Sequence, residues 1–159
     1  GVVQEIKDAL SPEQTVALTV WAEARSRFDG RKWVPNSLDA MADIVNIINN
    51  RAALKHLSVK NVCLARRQFS CWDTFGGAAN FYALMERAQQ LLTGKAPTDK
   101  LLGCLALAHD TMVVTLSGAT HYYSPASMIP PGRVPPWAAP PAVCVVERHG
   151  HKFYNKVRW

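Results

Sequence analysis

Apolar side chains recur at helical spacing in four stretches of this chain. The first follows Ser11 and Pro12, a capping residue and a proline that already holds the helical φ, so a helix should begin here. Its predicted apolar stripe consists of Val16, Ala17, Val20, Trp21 and Ala24. Glu23 lies at the edge of that stripe, and we therefore expect its carboxyl group to be half removed from water.

Three more helices follow with the same spacing. Ser37 caps the second, Gly76 and Gly77 precede the third, and Gly94 ends it. Thr98 is predicted to cap the fourth, which should close at Ser117 and Gly118. The apolar faces of these three helices carry, in order, Met41, Ile44, Val45, Ile48 and Ala52; Phe81, Leu84, Met85, Ala88, Leu91 and Leu92; and Leu101, Leu102, Leu105, His109, Met112, Val113 and Leu116.

Polar residues also occur inside these helices. Asn46, Asn49, Asn50 and Arg51 are a poor choice for a helix interior on propensity grounds, which predicts that at least one makes a specific hydrogen bond. His109, on the apolar face of the fourth helix, is interpreted as a hydrogen-bonded core histidine rather than a ligand.

The composition changes after Tyr123. Seven of the ten prolines lie between Pro125 and Pro141, which indicates an extended loop. Within it, Trp137 either offers a stacking platform for a sugar ring or pins the loop to the core, and pinning is favoured. Residues 143–146 and 152–154, separated by a turn containing Gly150, predict a terminal β-hairpin. The expected fold is mainly α, within the α+β class, with a small C-terminal β-hairpin.

Length and charge narrow the class of protein. With 159 residues and 48% hydrophobic content, the chain should form a single domain over residues 1–159 and act as a monomer. No apolar run approaches the ~20 residues that cross a bilayer, so no stable membrane insertion is expected. The N-terminus, with Glu5, Lys7 and Asp8, does not resemble a secretion signal.

A net charge of +6 favours an anionic partner, such as nucleic acid, acidic lipid or an acidic cell-wall polymer. The basic residues are scattered, without the spacing of a zinc finger, a ribonucleoprotein motif or a helix-turn-helix, and no nucleic-acid partner is expected.

The four cysteines do not form a metal-binding pattern. Cys63, Cys71, Cys104 and Cys144 contain no Cys-x-x-Cys pair, so neither a metal nor another cofactor is expected. Cys63 and Cys71 are compatible with a disulfide in an oxidising compartment and equally with reduced, buried thiols.

Glu23 is the candidate catalytic acid. Removal from water disfavours the charged carboxylate and raises its pKa, as a proton donor near neutral pH requires. The alternative is that Glu23 pairs with Arg25, Arg27 or another basic residue at a helix end.

Six short motifs, in order along the chain, resemble those of the SleB-type cell-wall hydrolases, a family that includes spore-cortex-lytic enzymes and bacteriophage lysins. The similarity extends from about Ser11 to Tyr154. The motifs are Glu23-Ala24-Arg25, Asn50-Arg51, Gln68-Phe69-Ser70, Gly118-Ala119-Thr120-His121-Tyr122-Tyr123, Pro136-Trp137-Ala138 and His151-Lys152-Phe153-Tyr154.

This resemblance implies a helical fold like that of lysozyme or the lytic transglycosylases, and bacterial peptidoglycan as the partner. Glu23 takes the family's catalytic position. The chain also departs from the family: Ala22 replaces a glycine, and Ser26 and Arg27 stand where a glycine and a second acidic residue are common.

The missing second acidic residue bears on the reaction. Hydrolysing glycosidases usually use two carboxylates, whereas a lytic transglycosylase works with one. We therefore expect Glu23 to cleave the bond between N-acetylmuramic acid and N-acetylglucosamine and leave a 1,6-anhydro end. The alternative is a hydrolytic muramidase that uses Asp39, Asp43 or Asp73 as its second carboxylate.

Further motif residues are candidates for binding the glycan. Their polar groups and aromatic rings suit contacts with sugar hydroxyl and N-acetyl groups. They are Gln68, Ser70, Thr120, His121, Tyr122, Tyr123, Trp137 and Tyr154. For Phe69 and Phe153, packing in the core is the favoured interpretation.

Two other classes of function remain open. A zinc amidase would need about three ligands, for which His121, His149 and His151 are candidates. A non-catalytic wall-binding module would use the basic charge and the aromatic residues for adhesion. The best fit is a bacteriophage endolysin, a bacteriolytic enzyme made in the host cytoplasm that acts on the cell wall in the periplasm or envelope.

Overall fold

The computed structural model describes residues 1–66, 68–74, 78–110 and 115–159, without the side chain of Ala78. Its fold is mixed α+β and mainly helical. The helices of the described residues are α1 (Val2–Ala9), α2 (Pro12–Glu23), α3 (Leu38–Lys55), α4 (Val59–Leu64), α5 (Ala78–Leu92) and α6 (Lys100–His109). The strands are β1 (Ser26–Phe28), β2 (Trp33–Pro35), β3 (His121–Tyr123), β4 (Val143–Arg148) and β5 (His151–Asn155).

Helix α2 is the centre of the fold. Ser11 and Gln14 form a reciprocal capping box at its start, as the Ser11-Pro12 signal predicts. The prediction of a single apolar stripe is wrong, because every residue from 15 to 22 is buried. The two threonines on the polar side satisfy their hydroxyl groups within the helix: Thr15 donates to the Ser11 carbonyl and Thr19 to the Thr15 carbonyl. Helices α3, α4, α5 and α6 all pack against α2.

Helix α3 begins after Ser37, whose hydroxyl accepts from the Ala40 N–H, so this cap is confirmed. The hydrogen bonds predicted for its polar interior are also confirmed. Asn50 donates through Nδ2 to the carbonyl groups of Thr115 and Ala119, at 3.0 and 2.8 Å. Arg51 donates to the Thr120 carbonyl. These bonds hold the segment that leads into β3 against α3.

Helix α6 differs from its predicted bounds. Its cap is Asp99 rather than Thr98, because the Asp99 carboxylate accepts from the Leu101 N–H and is a stronger partner for the positive helix end. The helix ends at His109, where Asp110 adopts an extended conformation, and residues 116–118 form a separate 3₁₀ turn. Met112, Val113, Gly76 and Gly77 lie outside the described residues.

His109 is not a core residue, so that prediction is wrong. At the last turn of α6 its side chain is 73% exposed and its Nδ1 lies 2.9 Å from Glu13 Oε1. The pair links the C-terminal end of α6 to the first turn of α2.

The predicted terminal hairpin is confirmed as β4 and β5, and it is part of a larger sheet. Strand β3 pairs antiparallel with β5, which gives the order β3-β5-β4. A second hairpin, β1-β2, follows α2 directly and was not predicted, nor were helices α1 and α4. These elements have three to eight residues, too few for a clear periodicity.

The core lies among the helices and one face of the sheet. Phe69 and Phe153 are both buried in it, as predicted. All four cysteines are free thiols, three of them buried, so Cys63 and Cys71 are not bridged. Within the described residues, no helix is both long enough and apolar enough to cross a membrane.

The Asn50 side chain offers a test of this architecture. Asn50→Ala removes both hydrogen bonds. The Thr115 carbonyl still accepts from the Gly118 N–H, whereas the Ala119 carbonyl loses its donor. We therefore expect the free energy of unfolding to fall by about 1–3 kcal/mol. Asn49→Ala, one residue earlier on the same helix and half-buried, is the matched control and should cost less than about 1 kcal/mol. Urea unfolding monitored by circular dichroism measures both values, and equal losses would contradict the bonding role of Asn50.

Candidate active site

Glu23 is the last residue of α2, and its side chain faces a cleft between α2, β1 and the β3-β5-β4 sheet. The cleft has a volume of about 200 Å³. We call it the Glu23 cleft, and its lining residues are Glu23, Ser26, Arg27, Tyr122, Ser124, Ser127, Gly150 and His151. Among the described residues that line it, Glu23 carries the only carboxyl group.

The surroundings of Glu23 favour its protonated form. Burial raises the pKa of the Glu23 carboxyl, while hydrogen bonds from Cys71 and the charge of Arg51 oppose that increase only in part. The C-terminal end of α2, with its partial negative charge, also disfavours an anion at this position. The predicted half-burial of Glu23 is confirmed, and its carboxyl holds a proton to a higher pH than an exposed glutamate does.

The alternative that Glu23 forms an ion pair with Arg25 or Arg27 is wrong. Glu23 Oε1 instead accepts from the Cys71 N–H at 3.2 Å. Arg25 donates to Asn80 Oδ1 and lies over the Trp21 ring. None of the ion pairs in the described part of the chain involves Glu23.

Strand β3 divides the motif residues between two faces. Tyr122 pairs with Phe153 in β5 and lines the cleft beside Glu23. His121 and Tyr123 point to the opposite face, because successive side chains alternate along a strand. Of the residues predicted to bind substrate, Tyr122 is therefore the one that the structure brings to the cleft with Glu23.

The opposite face of β3 carries an aromatic cluster of His121, Tyr123, Trp137, Tyr154 and Trp159. His121 lies 5.1 Å from Trp137 and 4.9 Å from Trp159, measured between ring centroids. Trp137 also packs against Tyr123 and Tyr154, at 5.8 and 5.4 Å. The interpretation that Trp137 pins the proline-rich loop is thus confirmed, and sugar binding by this face remains a prediction.

His121 is held neutral within the aromatic cluster. Burial, with the nearby charges of Arg51 and Lys55, lowers the pKa of His121 to about 4. Its Nδ1 lies 2.9 Å from the Thr120 hydroxyl. Thr120 is itself buried, and its N–H donates to the Tyr154 carbonyl. Thr120 therefore orients His121 and secures β3 rather than lining the Glu23 cleft.

Gln68 and Ser70 also lie outside the lining of the Glu23 cleft. Gln68 Oε1 accepts from Arg51 Nη1 at 3.3 Å. Ser70 is exposed and begins the 3₁₀ turn Ser70–Trp72, whose Cys71 N–H reaches Glu23. These motif residues thus belong to the segment that supports Glu23, and their predicted contact with substrate remains a prediction.

Asp43 anchors the hairpin wall of the cleft. This buried residue of α3 accepts from Arg148 Nε and Nη2 at 3.0 and 2.6 Å, and His149 Nε2 lies 4.0 Å away. Both of its oxygens are engaged, and Asp43 does not line the cleft. Asp39 is exposed in the first turn of α3, and Asp73 ends the 3₁₀ turn.

His151, held by that hairpin, forms part of the cleft wall. It is buried, lies 5.1 Å from Tyr122 between ring centroids, and has no hydrogen-bond partner for Nδ1 among the described residues. Burial lowers the pKa of His151 to about 4, although Asp43 acts in the opposite direction. The ring is therefore neutral near pH 7.

The three histidines considered for a zinc amidase do not converge. His121 belongs to the aromatic cluster, whereas His149 and His151 lie on the hairpin beside Asp43. In the described ranges, no group of three histidine, cysteine, aspartate or glutamate side chains is placed to hold a metal ion.

The sequence did not identify several residues that line the Glu23 cleft, which are Ser26, Arg27, Ser124, Ser127, Gly150 and His151. One signal for them was present: residues 122 and 124 share a face in an extended segment. His151 also begins the last of the ordered motifs. The others reach the cleft through turns whose position depends on the tertiary fold.

No family model, curated protein or solved structure matches the chain. The resemblance to the SleB-type hydrolases thus depends on the ordered motifs alone.

The raised pKa of Glu23 predicts a pH-dependent gain in stability for Glu23→Gln. Because ionisation is disfavoured in the folded state, the wild type loses stability as the pH rises from the unfolded-state pKa through the higher folded-state pKa. Glutamine stays neutral and keeps an Oε1 acceptor for Cys71. We expect a higher urea midpoint for the variant near neutral pH and a gain that declines as the pH falls toward about 4.

The control is Glu86→Gln on the exposed face of α5, which should change the unfolding free energy by less than about 0.5 kcal/mol. A Glu23→Gln variant that is less stable than the wild type near pH 7 would contradict the assignment of a disfavoured charge.

Proposed function

We propose that this protein cleaves the glycan strands of bacterial peptidoglycan as a lytic transglycosylase, with Glu23 as its catalytic acid and base. The observation that carries the proposal is the half-buried Glu23 carboxyl, which has a raised pKa and is the one carboxyl among the described residues lining its cleft. The ordered motifs indicate peptidoglycan as the substrate, and the Glu23 carboxyl indicates acid–base catalysis.

The proposed reaction begins with protonated Glu23. Its carboxyl donates the proton to the oxygen that joins C1 of N-acetylmuramic acid to N-acetylglucosamine, and the C1–O bond breaks. The C6 hydroxyl of the same muramic acid then attacks C1 and forms the 1,6-anhydro ring. The Glu23 carboxylate takes the C6 hydroxyl proton, so the enzyme returns to its starting state without consuming water.

Three contacts suit Glu23 to both steps. Burial raises the pKa of the carboxyl and so favours its protonated form before cleavage. The Cys71 N–H, 3.2 Å from Oε1, and the positive charge of Arg51 then stabilise the carboxylate that is left. The same environment thus favours a proton donor first and supports a base afterwards.

Among the described residues that line the Glu23 cleft, none besides Glu23 carries a carboxyl group, which supports intramolecular transglycosylation over hydrolysis. A hydrolytic muramidase needs a nucleophile or base opposite the acid. Of the three aspartates considered as a second carboxylate, Asp43 is near enough to the cleft to affect the pKa of His151. Both of its oxygens, however, accept hydrogen bonds from Arg148. A single acid–base residue is the simpler mechanism for this cleft.

The fold and setting follow from the same proposal. A central helix ending in a glutamate, surrounded by helices and with a small sheet across the cleft, suits the lysozyme-like class that the motifs imply. We place the protein among bacteriophage endolysins that act on the cell wall as monomers.

The proposal predicts the products of a peptidoglycan digest. Mass spectrometry of purified peptidoglycan treated with the protein, without added metal, should detect anhydro-muropeptides. Glu23→Gln should release them at least about 10²-fold more slowly, because a positioned general acid contributes about 10²–10⁴-fold. Circular dichroism should show that the variant is folded.

Other products would overturn the proposed reaction. Reducing-end muropeptides would indicate hydrolysis and a second carboxylate. Free stem peptides with intact glycan strands would indicate an amidase, and sedimentation with the wall without any cleavage would indicate a binding module.

A further inference from the structure

The Glu23 cleft contains a cation that the proposed reaction does not use. Arg27, in β1, lines the cleft with Glu23, and its side chain is exposed to solvent. No ion pair within the described part of the chain includes Arg27. Glu23 and Arg27 form no ion pair, and burial raises the pKa of the Glu23 carboxyl. The cleft thus presents a positive charge beside its proton donor.

The backbone around Arg27 fixes the position of its Cβ at the cleft. Arg27 pairs with Val34 in the β1-β2 hairpin, and the Asn36 N–H donates to the Arg25 carbonyl at 2.8 Å. On the opposite wall, Gly150 has a φ of +79°, and a Cβ there would lie 3.6 Å from Arg27 Cβ. The base of Arg27 therefore lies against the turn between β4 and β5, and the rest of its side chain is exposed to solvent.

The other polar groups of the cleft suit an anionic ligand. Ser26, Ser124 and Ser127 add hydroxyl groups. The Ser127 hydroxyl donates to Ser124 Oγ at 3.1 Å, so those of Ser26 and Ser124 are the donors for a ligand. His151 is neutral near pH 7. An arginine guanidinium binds a carboxylate through two parallel hydrogen bonds, which gives direction as well as charge.

We propose that Arg27 binds a carboxylate carried by the muramic acid residue of the substrate, and so selects charged over uncharged glycan strands. The inference depends on the proposed function and specifies its substrate class. Two carboxylates are available in peptidoglycan: those of the stem peptide, and the lactyl carboxylate that is exposed once the stem peptide has been removed.

Three soluble substrates separate these sources. The first is uncrosslinked glycan with its stem peptides, in which the lactyl group is amidated. The second is glycan stripped by an amidase, which bears free lactyl carboxylates and no peptide. The third is stripped glycan whose lactyl carboxylates have been converted to methyl amides, which leaves the strand uncharged.

The measurement is kcat/KM for anhydro-product formation by the wild type and Arg27→Gln on each substrate. On a carboxylate-bearing strand, Arg27→Gln should lower kcat/KM about tenfold or more beyond any loss on the uncharged strand, as expected for a lost charge-assisted hydrogen bond. Loss on the first substrate identifies the stem peptide as the source, and loss on the second identifies the lactyl group. Arg27→Lys should retain part of the preference, and Arg27→Glu should lose more than Arg27→Gln.

Arg31→Gln is the matched control, because Arg31 is an exposed arginine of the same hairpin that does not line the cleft. Its substrate preference should equal that of the wild type. An equal loss by Arg27→Gln on all three substrates would assign Arg27 a structural role and overturn the inference, as would an unchanged preference.

Binding measurements keep this test separate from the proposed function. In Glu23→Gln, calorimetric titration of the same strands should show tighter binding of charged glycan, and adding Arg27→Gln should remove the difference. If the wild type cleaves no strand, the proposed function fails. If it cleaves all three and Arg27→Gln behaves like the wild type, the inference alone fails.

Discussion

The buried guanidinium of Arg51 holds together the segments that build the site. From α3 it donates to the Thr120 carbonyl before β3 and to Gln68 Oε1 in the segment before the 3₁₀ turn. It also lies over the Phe69 ring, 5.0 Å from its centroid. A cation this far from water is tolerated only with such partners. Because Cys71 follows in the same segment, the contacts that satisfy Arg51 also position the N–H that Glu23 accepts.

Two opposing influences set the character of Glu23. Burial at the end of a fully packed helix favours the neutral acid, while Arg51 and Cys71 favour the anion. Neither alone suits a residue that must first give a proton and then take one. Burial outweighs the two stabilising contacts, so a charged Glu23 lowers the stability of the folded protein. The proposed activity nevertheless requires a carboxyl group at this position, which is a conflict between stability and activity.

The helix ends that depend on interactions between neighbouring residues could be predicted from the sequence. Ser11, Ser37 and Gly94 mark helix ends through capping and a positive φ, and the sequence contains those signals directly. The end of α6 could not be placed in this way, because apolar spacing continued past His109 while the helix did not. The β1-β2 hairpin depends on a turn at Asp29 and Gly30 between three-residue strands, which leave no periodic pattern.

The same division applies to the site. Glu23 was a candidate from its place at the edge of a helical apolar stripe, and Tyr122 was a candidate from the ordered motifs. The motif around β3 nevertheless divides between two faces, because residue alternation sends His121 and Tyr123 away from Glu23. Arg27 and Gly150 are distant in sequence and meet only when the hairpin turn packs on β1. Such contacts are properties of the tertiary structure.

A carbon-13 NMR titration of the glutamate side-chain carboxyls directly measures the protonation state of Glu23 in the folded protein, on which the proposed chemistry depends. The resonance that is absent from Glu23→Gln identifies the residue. We expect this resonance to titrate clearly above the ordinary glutamate pKa of about 4.3. A midpoint at or below that value would mean that Glu23 is an ordinary carboxylate near neutral pH, and would contradict its role as the acid of the cleft.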